Sequence, residues 1–596
     1  LLDRMRPTGV QVGRWTGEHH DGGRLHGVTV LTPESLDSRL SRAPEALTGV
    51  QAIVLDELHV LDGTARGDQL RVLVHRLRME RGMRAERDPR SEERSVAPLQ
   101  VVAASATVPD LERMAGRYLR DPTLVAVGPR RKVRAHVVDG REPEGVAQAL
   151  TEHVSKGFRK VLAFCNSREE VEVLSRYLMG RPPFGRAVLA HHGSLARRVR
   201  LQAEKRYLTA PTAICVCTST MELGVDIGDV DLVALVGVPP SVASLLQRVG
   251  RGGRRTELNH VVAFVGGAFE ARCLRTLLEA QKDGHWYTGP SVFRPGVLVQ
   301  QAVSVLHGRR SRTVDAAALF RRLPPDLQST WDQDLLKDVL AKAGDAGFLA
   351  RVGTGPSGPV YGLGERGDRE WSRGRLHSNL SDSQGVDVVD SITGDVVGRV
   401  ARPEEGVSLG GRGRAPLKMD SERVVTRGAT GAGVAAFASG GTFVIPAALA
   451  TAYLESAGIP TPCRVLLRTG WCLFHGLGSG GGALLGAVFR LNKSLLGRGV
   501  RVARVGRHGL VLEGGPFLEG SWPSPTLVRV ALGKSHRSVG RKLALGAHHV
   551  HLPDEIRLET VGRICEMDRV VAMLESGLPP IVDVVDEDLW NAAAWA

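Results

Sequence analysis

The nine residues Gln247-Arg248-Val249-Gly250-Arg251-Gly252-Gly253-Arg254-Arg255 decide how the rest of the chain is interpreted. They hold four arginines and three glycines, and they follow an apolar run at 232–238 that has strand character. Glycine lets a backbone come close to a ligand, and the planar guanidinium group binds phosphate oxygens. The stretch is therefore a candidate for contact with a phosphoryl group in transfer, although a solvated basic loop has the same composition.

Length, charge and cysteine content limit the class of protein. A chain of 596 residues is too long for one hydrophobic core, and about four domains are expected. The 78 Lys and Arg residues exceed the 64 Asp and Glu residues and give a net charge of +14, which favours an anionic partner such as nucleic acid. Seven scattered cysteines argue against a disulfide framework and for a reducing cytoplasm. No apolar run is long enough to cross a membrane, so no membrane partner is expected.

The apolar run Ala52–Leu55 is typical of a buried strand and ends in Asp56-Glu57-Leu58-His59. Carboxylates at the carboxyl end of a parallel strand lie where open α/β sheets place ligand chemistry. In that position Asp56 would hold Mg²⁺ and Glu57 would polarise an attacking water molecule. A strand that simply ends in a charged turn would show the same residues, so this stretch alone leaves both interpretations open.

Two further segments of the first 127 residues carry small hydroxyl residues next to predicted strands. Thr32 is placed to cap a helix that has Pro33 at its first position. Ser105 and Thr107 follow the apolar strand 99–103, where small hydroxyl residues can relay between a phosphate site and a neighbouring domain.

The next predicted strands also end in polar residues. Thr218 could meet a backbone phosphate and Asp226 could accept from a ribose hydroxyl, but a turn at a strand end explains both residues equally well. The pair His191–His192 raises the question of a metal, yet no third ligand is spaced to join it. Cys215 and Cys217 lie on an apolar strand and are predicted to be packed thiols.

Taken in order, these segments resemble the motifs of superfamily 2 helicases. Five segments resemble motifs Ib, II, III, V and VI, and they occur in that order along the chain. They are, respectively, Thr32–Leu36, Asp56-Glu57-Leu58-His59, Ser105-Ala106-Thr107, Thr218–Asp226 and Gln247–Arg254. Two variants, His192-Gly193-Ser194-Leu195 and the form of the last motif, resemble the large helicase-related (Lhr) family in particular. Each motif is short, but the ordered set is specific.

The resemblance implies a role for each of these residues, with ATP and Mg²⁺ as cofactors. Asp56 and Glu57 would handle Mg²⁺ and the hydrolytic water, with Arg251 and Arg254 as arginine fingers. The residues that would couple this site to a second lobe are His59, Ser105 and Thr107. Those that would contact the nucleotide are Gly224, Asp226, Gln247 and Arg248. Those that would grip the nucleic-acid backbone, independently of base sequence, are Thr32, Pro33, Arg168, Gly193 and Thr218.

The family's phosphate loop, Gly-x-x-x-x-Gly-Lys-Thr, is not found in this sequence. Gly533-Lys534-Ser535 lacks the first glycine of that pattern, because the required position is Val528. The stretch Gly478–Gly486 has no lysine after it and is predicted to form a loop or a tight turn. Because the chain starts at Leu1 and not at methionine, we expect the N-terminal part of the first lobe to be missing from it. On this expectation the chain alone hydrolyses ATP weakly or not at all.

The expected fold class is α/β, with two RecA-like lobes, the first truncated, followed by a winged helix and a β-rich, barrel-like domain. The predicted boundaries are 1–127, 128–285, 286–355 and 356–596. The third region shows helices at 297–306, 315–323 and 332–346, and the fourth shows a hairpin at 386–400 with its turn at 393–395. The last two assignments rest on the Lhr resemblance, and a plain helical linker is the alternative to the winged helix.

Two functions of different class remain open. One is an ATP-dependent helicase or translocase of the cytoplasm that serves DNA repair, with single-stranded DNA favoured as its track and RNA possible. The other is a non-catalytic nucleic-acid-binding protein that has lost its phosphate loop. A partner chain that supplies the missing part of the first lobe is a further possibility.

Overall fold

The computed structural model describes residues 5–16, 19–20, 27–85, 98–105, 110–125, 132–222, 227–253, 258–379, 385–401, 406–429, 437, 445–467, 470–491, 501–513, 522–540, 543 and 545–596. The chain forms two compact units, and each unit draws on three parts of the sequence. The first unit is Leu1–Val125, Pro290–Asp382 and His536–Ile564. The second unit is Ala126–Gly289, Ser383–Ser535 and Cys565–Ala596.

The first unit contains three small sheets. The strands Ala52–Leu55 and Gln100–Ala103 form a parallel pair, Val12–Thr16 lies between His19–His20 and Val28–Leu31, and Leu349–Gly355 forms a hairpin with Gly358–Leu363. The α-helices of this unit are Pro33–Arg42, Leu58–Leu61, Ala65–Ala85, Leu111–Tyr118, Gly296–Gly308, Ala316–Phe320, Pro325–Gln328, Gln333–Asp345, Glu365–Ser372 and Asp554–Ile564, and its short 3₁₀ helices are Arg6–Thr8, Pro44–Leu47 and His549–His551.

The core of the first unit is built on helix Gly296–Gly308, which is buried from residue 296 to residue 307. Most of its side chains are apolar, and its buried polar side chains are hydrogen-bonded, as burial requires. Ser304 donates to Asp37 over 2.6 Å, and Gln301 donates to the same carboxylate over 3.2 Å. The carboxylate of Asp37 is 0% exposed and also pairs with Arg76 at 3.2 Å. This buried network joins helix Pro33–Arg42 to the core helix.

The second unit is organised around a six-stranded parallel sheet. The strands follow one another across this sheet in the order Lys132–Asp139, Leu258–Val265, Leu232–Val236, Lys160–Cys165, Ala213–Cys217 and Val188–His191. The inner strands are nearly continuous runs of buried residues because helices cover both faces of such a sheet. Cys215 and Cys217 are buried, unbridged thiols on one of these strands, so the prediction of packed thiols is confirmed. The sheet confirms the predicted α/β class.

Two more sheets complete the second unit. One has five strands in the order Val396–Val400, Val386–Asp390, Arg423–Gly428, Arg412–Met419 and Val407–Leu409, and the other has four in the order Cys463–Leu467, Gly470–Phe474, Gly509–Glu513 and Arg501–Val505. The α-helices are Pro143–Ser155, Arg168–Met179, Arg197–Thr209, Val242–Val249, Ala268–Asp283, Ala447–Ser456, Gly478–Leu491, Thr526–Gly540, Met567–Glu575 and Glu587–Trp595, and the 3₁₀ helices are Gly185–Ala187 and Ser219–Met221.

Several local predictions are confirmed. The three helices predicted in the third region lie at Gly296–Gly308, Ala316–Phe320 and Gln333–Asp345. The predicted hairpin is formed by the antiparallel strands Val386–Asp390 and Val396–Val400. Within the described part of the chain, no helix is both long and apolar enough to span a membrane.

The prediction of a loop at Gly478–Gly486 is wrong, because these residues lie in the buried helix Gly478–Leu491. The glycines serve close packing and do not form a turn. A Cβ atom added to Gly480 would lie 2.9 Å from the Cα of Cys565, and one added to Gly482 would lie 2.8 Å from the carbonyl oxygen of Gly506. Both distances are shorter than side-chain contacts permit, so glycine is required by the neighbouring backbone.

Candidate nucleotide and nucleic-acid site

The carboxylates of Asp56 and Glu57 lie in a tight turn at the end of strand Ala52–Leu55. Glu57 has a left-handed backbone (φ 49°, ψ 41°), which is unusual for a residue with a Cβ atom. The side chain of Asp56 accepts a hydrogen bond from the Glu57 N–H over 3.0 Å and so stabilises this turn. Asp56 is exposed, and the Glu57 side chain is 36% exposed. Both carboxylates are therefore accessible to a ligand at the end of the strand.

His59 joins this turn to the end of the neighbouring strand. The parallel register places Leu55 beside Ala103, and the Ala104 N–H donates to the Leu55 carbonyl over 2.8 Å. Nδ1 of His59 lies 2.7 Å from Oγ of Ser105 and 3.5 Å from Oε2 of Glu57. Burial lowers the pKa of His59, although the nearby carboxylates oppose this effect. The His59 imidazole therefore connects Ser105 to the carboxylate turn.

The helix Val242–Val249 presents the first part of the arginine-rich stretch. Ser241 caps this helix by accepting from the Ser244 N–H over 3.1 Å. Arg248 is only 2% exposed, and its guanidinium donates to Glu222 over 2.7 Å and to the side-chain oxygen of Asn166 over 2.9 Å. Gln247, one position earlier, is half-buried. The structure thus places Arg248 in a buried ion pair that fixes the helix to the loop containing Glu222.

Arg251 follows this helix in a glycine-rich turn. Its guanidinium donates to the carbonyl oxygen of Glu222 through Nε over 3.1 Å and also through Nη2. Gly253 has a φ of +60°, and a Cβ on Gly252 would lie 3.2 Å from Val233 on the adjacent strand. The glycines therefore let the chain turn sharply against the sheet and bring Arg251 to the end of the loop that begins at Thr218.

Three predicted nucleic-acid contacts lie at one edge of the six-stranded sheet. Arg168, Gly193 and Thr218 each follow one of the strands Lys160–Cys165, Val188–His191 and Ala213–Cys217, which are parallel neighbours. The Thr218 N–H donates to the His191 carbonyl over 3.2 Å, and Nη1 of Arg168 donates to Oγ of Ser194 over 2.8 Å. The fold thus brings together residues that are up to 50 positions apart in sequence.

A cavity of about 250 Å³ opens next to these residues, between Arg168, the 193–196 loop and the edge strand Val396–Val400. The loop is paired with that strand, since Ala196 donates to the carbonyl of Val397 over 2.8 Å and Arg399 donates its N–H to the Ser194 carbonyl over 2.9 Å. The side chain of Arg399 also lines the cavity. The five-stranded sheet therefore extends the edge that carries Arg168 and Gly193.

Two buried glutamates that organise this region were not identified from the sequence. Glu222 accepts from Arg248 and from Ser244. Glu172, which is 0% exposed, binds Nε2 of His192 at 2.8 Å and accepts from the N–H groups of Gly410 and Gly411 over 2.6 and 2.7 Å. The signal for Glu172 was its place among the apolar residues of helix Arg168–Met179, because a carboxylate is rarely buried without partners.

The remaining predicted residues are located as follows. Oγ1 of Thr32 accepts from the Ser35 N–H over 3.3 Å and Pro33 is the first residue of helix Pro33–Arg42, so the predicted cap is confirmed. Thr107, Gly224, Asp226 and Arg254 lie outside the described residues.

Asp56 is the candidate ligand for Mg²⁺. A hard divalent cation prefers carboxylate oxygens, and an exposed aspartate at a strand end fits this preference, with water completing the coordination shell. His191 and His192 serve other purposes, because Nδ1 of His191 lies 2.8 Å from Oγ1 of Thr220 and His192 binds Glu172. Within the described ranges, no cluster of three or more His, Cys, Asp or Glu side chains has metal-binding geometry.

Two helicase domains match the chain: the DEAD/DEAH box helicase domain over residues 13–114 and the helicase conserved C-terminal domain over residues 145–256. The chain is 30% identical over 248 residues to the ATP-dependent helicase Lhr-Core protein 2 of Thermococcus barophilus, a match that covers 38% of this chain and 27% of that protein. It is 31% identical over 286 residues to the Lhr helicase/probable uracil glycosylase of Mycolicibacterium smegmatis, which covers 40% of this chain and 18% of that protein. The matched region is thus about a quarter or less of these relatives' length.

The fold is similar to two solved helicases. Helicase Lhr of Mycobacterium smegmatis bound to ssDNA and AMP-PNP aligns with 99% of this chain and 87% of that chain, with a TM-score of 0.66 and 19% identity. Helicase MrfA bound to DNA and AMPPNP aligns with 72% of this chain and 62% of that chain, with a TM-score of 0.53 and 16% identity. At these identities the likeness concerns the fold, which includes the RecA-like helicase core. In its two helicase domains, its sequence relatives and its fold, the chain is similar to the Lhr helicases of superfamily 2.

Proposed function

We propose that this chain is the motor part of an ATP-dependent helicase or translocase that moves along single-stranded nucleic acid, with DNA as the favoured track. The observation that carries this proposal is the contact between His59 and Ser105, 2.7 Å from Nδ1 to Oγ, beside the Asp56–Glu57 turn. A hydrolytic carboxylate with a hydrogen-bonded connection to the next strand end is what a motor needs and what a passive binding protein does not.

Each candidate site residue at the Asp56–Glu57 turn of the first unit has a distinct proposed role. Asp56 holds Mg²⁺, and Glu57 orients the attacking water and accepts its proton. Bound Mg²⁺ would neutralise charge on the phosphate oxygens as the terminal phosphoryl group is transferred to water. His59 and Ser105 transmit conformational changes at this site to the rest of the motor.

Arg251 is the proposed arginine finger of the second unit. Its guanidinium is bound to the Glu222 carbonyl, and an alternative partner with full negative charge would compete strongly for it. Gln247, Asp226 and Gly224 are proposed to contact the nucleotide, together with Arg254. Because Arg248 is already paired with Glu222, we propose that it supports the arginine finger by holding the helix in place.

Thr32 and Pro33 of the first unit are proposed to contact the nucleic-acid backbone, and so are Arg168, Gly193 and Thr218 of the second unit. These residues include two hydroxyl groups and a guanidinium group, which recognise phosphates and not bases. Both the Lhr structure, bound to ssDNA, and the MrfA structure, bound to DNA, support DNA over RNA. Binding is then expected to be sequence-independent and to weaken steeply with salt.

Three finer assignments stay predictions from the family resemblance. They are a role in DNA repair, a cytoplasmic location, and a phosphate loop supplied by polypeptide other than these 596 residues. The winged-helix identity of 286–355 and the barrel-like identity of 356–596 are proposals of the same kind.

The decisive experiment is Glu57→Gln in the natural protein that contains these residues. We expect the wild type to hydrolyse ATP faster when single-stranded DNA is added, and the variant to lose at least about a hundredfold in rate, because a general base contributes that much or more. ATP and DNA affinities should stay the same, since the variant keeps its shape. Steady-state phosphate release and fluorescence anisotropy measure these quantities.

Glu112→Gln provides the control, because Glu112 is an exposed glutamate on helix Leu111–Tyr118. It should leave hydrolysis unchanged. Full activity of Glu57→Gln would show that Glu57 is not the base, and a wild type that binds DNA without hydrolysing ATP would favour the non-catalytic alternative.

A further inference from the structure

A second basic cavity lies in the first unit, among residues that play no part in the proposed motor chemistry. It has a volume of about 180 Å³ and lies between helix Ala65–Ala85, the end of helix Leu111–Tyr118 and the start of helix Pro325–Gln328. The charged and titratable side chains that line it are Arg71, His75, Arg78, Arg117, Arg120 and Asp326. The lining thus has four arginines and a single carboxylate.

Two of these arginines are neutralised by neighbouring carboxylates. Arg71 pairs with Asp326 and, at 3.2 Å, with Asp68. Arg117 donates through Nε to Asp62 over 3.0 Å and also through Nη2. The only carboxylate of the lining is therefore already engaged, and it does not balance the remaining arginines.

Arg78 and Arg120 have no carboxylate partner in the part of the chain that the structure describes. Arg78 is half-buried and Arg120 is exposed. They repel one another, and burial together with the charge of Arg120 lowers the pKa of Arg78. Like charges that share a concave, partly desolvated surface are costly unless a counter-charge accompanies them.

His75 contributes an imidazole ring to the same cavity. It is 8% exposed, and burial together with the charges of Arg120 and Arg78 lowers its pKa, so it adds a neutral ring and no further positive charge. The cavity therefore presents two guanidinium forks and an imidazole on one concave surface. Guanidinium forks match the geometry of phosphate oxygens.

We propose that this cavity binds a phosphate group through Arg78 and Arg120. The group belongs either to the backbone of a nucleic-acid strand or to free inorganic phosphate, since both offer negatively charged terminal oxygens. The site shares no residue with the Asp56–Glu57 turn or with the proposed track. Its existence is thus independent of the proposed function.

The first test is the melting temperature of the full chain in dilute inorganic phosphate and in chloride at equal ionic strength. We expect phosphate to raise the melting temperature of the wild type by a few degrees, and to give the double variant Arg78→Gln/Arg120→Gln a clearly smaller rise. In chloride the double variant should be at least as stable as the wild type, because its repulsion is gone. A structural role for these arginines would instead lower its stability in both salts.

Arg113→Gln is the matched control, because Arg113 is an exposed arginine of helix Leu111–Tyr118, which ends just before Arg120, and it does not line the cavity. It should retain the full response to phosphate. Arg120→Lys should retain part of it, since the charge remains while the planar fork is lost. An equal phosphate response of the wild type and the double variant would overturn the proposal.

The second test distinguishes the two sources of phosphate. Affinity for an oligo-dT strand is measured against salt concentration for the wild type and the double variant. A strand that occupies the cavity makes the slope of log affinity against log salt shallower by about one in the variant. An unchanged slope together with a lost phosphate response identifies free phosphate as the ligand. The Glu57→Gln experiment is read by hydrolysis, so its outcome does not depend on this site.

Discussion

The left-handed backbone of Glu57 places a conformational cost on the residue proposed as general base. Such a backbone costs a residue with a Cβ atom about 1 kcal/mol. The neighbouring side chain of Asp56 offsets part of this cost by accepting the Glu57 N–H. The proposed metal ligand is therefore also the residue that orients the proposed base, and loss of Asp56 should disturb both functions at once.

A second single-residue change, Ser105→Ala, tests whether the contact with His59 couples ATP hydrolysis to nucleic-acid binding. The variant removes one hydrogen bond, worth a net ~1 kcal/mol, so stimulation of ATP hydrolysis by single-stranded DNA should fall roughly fivefold. DNA affinity should not change, because Ser105 is not proposed to contact the strand. The ratio of hydrolysis rates with and without DNA measures the effect.

Ser155→Ala is a suitable control for this substitution. The hydroxyl of Ser155 is exposed and donates to a carbonyl within its own helix, over 2.7 Å. If Ser105→Ala keeps full stimulation, the contact with His59 has no coupling role.

Some residues of the candidate site could be predicted from the sequence, and others could not. Asp56, Glu57 and Ser105 were identified because each lies within two residues of the end of an apolar strand, and the parallel pairing of these strands then brings them together. The partner of Arg248 was not identifiable in this way. Glu222 lies 26 positions away, and only the packing of the 218–222 segment against helix Val242–Val249 makes the two residues neighbours.

At the scale of elements, the helix Gly478–Leu491 shows where local rules fail. Consecutive glycines disfavour a helix by up to about 1 kcal/mol each, so the sequence predicts a loop. Tertiary packing reverses this preference, because the helix lies against backbone at Cys565 and Gly506. Helices with apolar periodicity, such as Gln333–Asp345, were predictable because propensity and packing agree there.

Gly482→Ala and Gly533→Ala separate these two effects. Both glycines lie inside helices, but a Cβ at Gly482 would lie 2.8 Å from the Gly506 carbonyl oxygen, whereas a Cβ at Gly533 would meet no atom within 4 Å. Gly482→Ala should lower the free energy of unfolding by about 1–3 kcal/mol, as overpacking does. Gly533→Ala should raise it by up to about 1 kcal/mol through helix propensity alone.

Thermal or urea denaturation of the two variants measures the difference. Equal effects of the same sign would mean that packing does not explain the glycines of helix Gly478–Leu491.

At the scale of the whole molecule, buried histidines determine the response to acid. Burial lowers the pKa of His475 to about 3, and burial lowers that of His307, His508 and His548 to about 4. Their ordinary value is 6.5, so the unfolded chain binds more protons than the folded chain between the two values. Stability is therefore complete above pH 6.5 and falls as the pH drops toward 4.

We accordingly expect the melting temperature to decrease between about pH 6.5 and pH 5, well before ordinary carboxylates titrate. His475→Gln should make this decrease shallower, because Nδ1 of His475 must stay unprotonated to accept the Leu477 N–H over 2.9 Å. The exposed His285→Gln should not change the slope. A melting temperature that is constant down to pH 5 would contradict this account.

The large architecture was predictable in class but not in connectivity. Alternating apolar runs and helices give the parallel sheet, because buried strands and amphipathic helices have distinct periodicities. The grouping of Pro290–Asp382 with the first 125 residues depends on the buried network around Asp37. Such polar networks join segments that are distant in sequence, and no local sequence pattern indicates them.

The pairing of the 194–196 loop with strand Val396–Val400 has a consequence for solubility. That strand is at one end of the five-stranded sheet, where unpaired amides and carbonyls would invite strands from other molecules. The loop occupies part of this border, through the Ala196 and Arg399 N–H groups. The segment next to Gly193 therefore covers part of a sheet edge, and we expect a substitution that loosened it to promote aggregation.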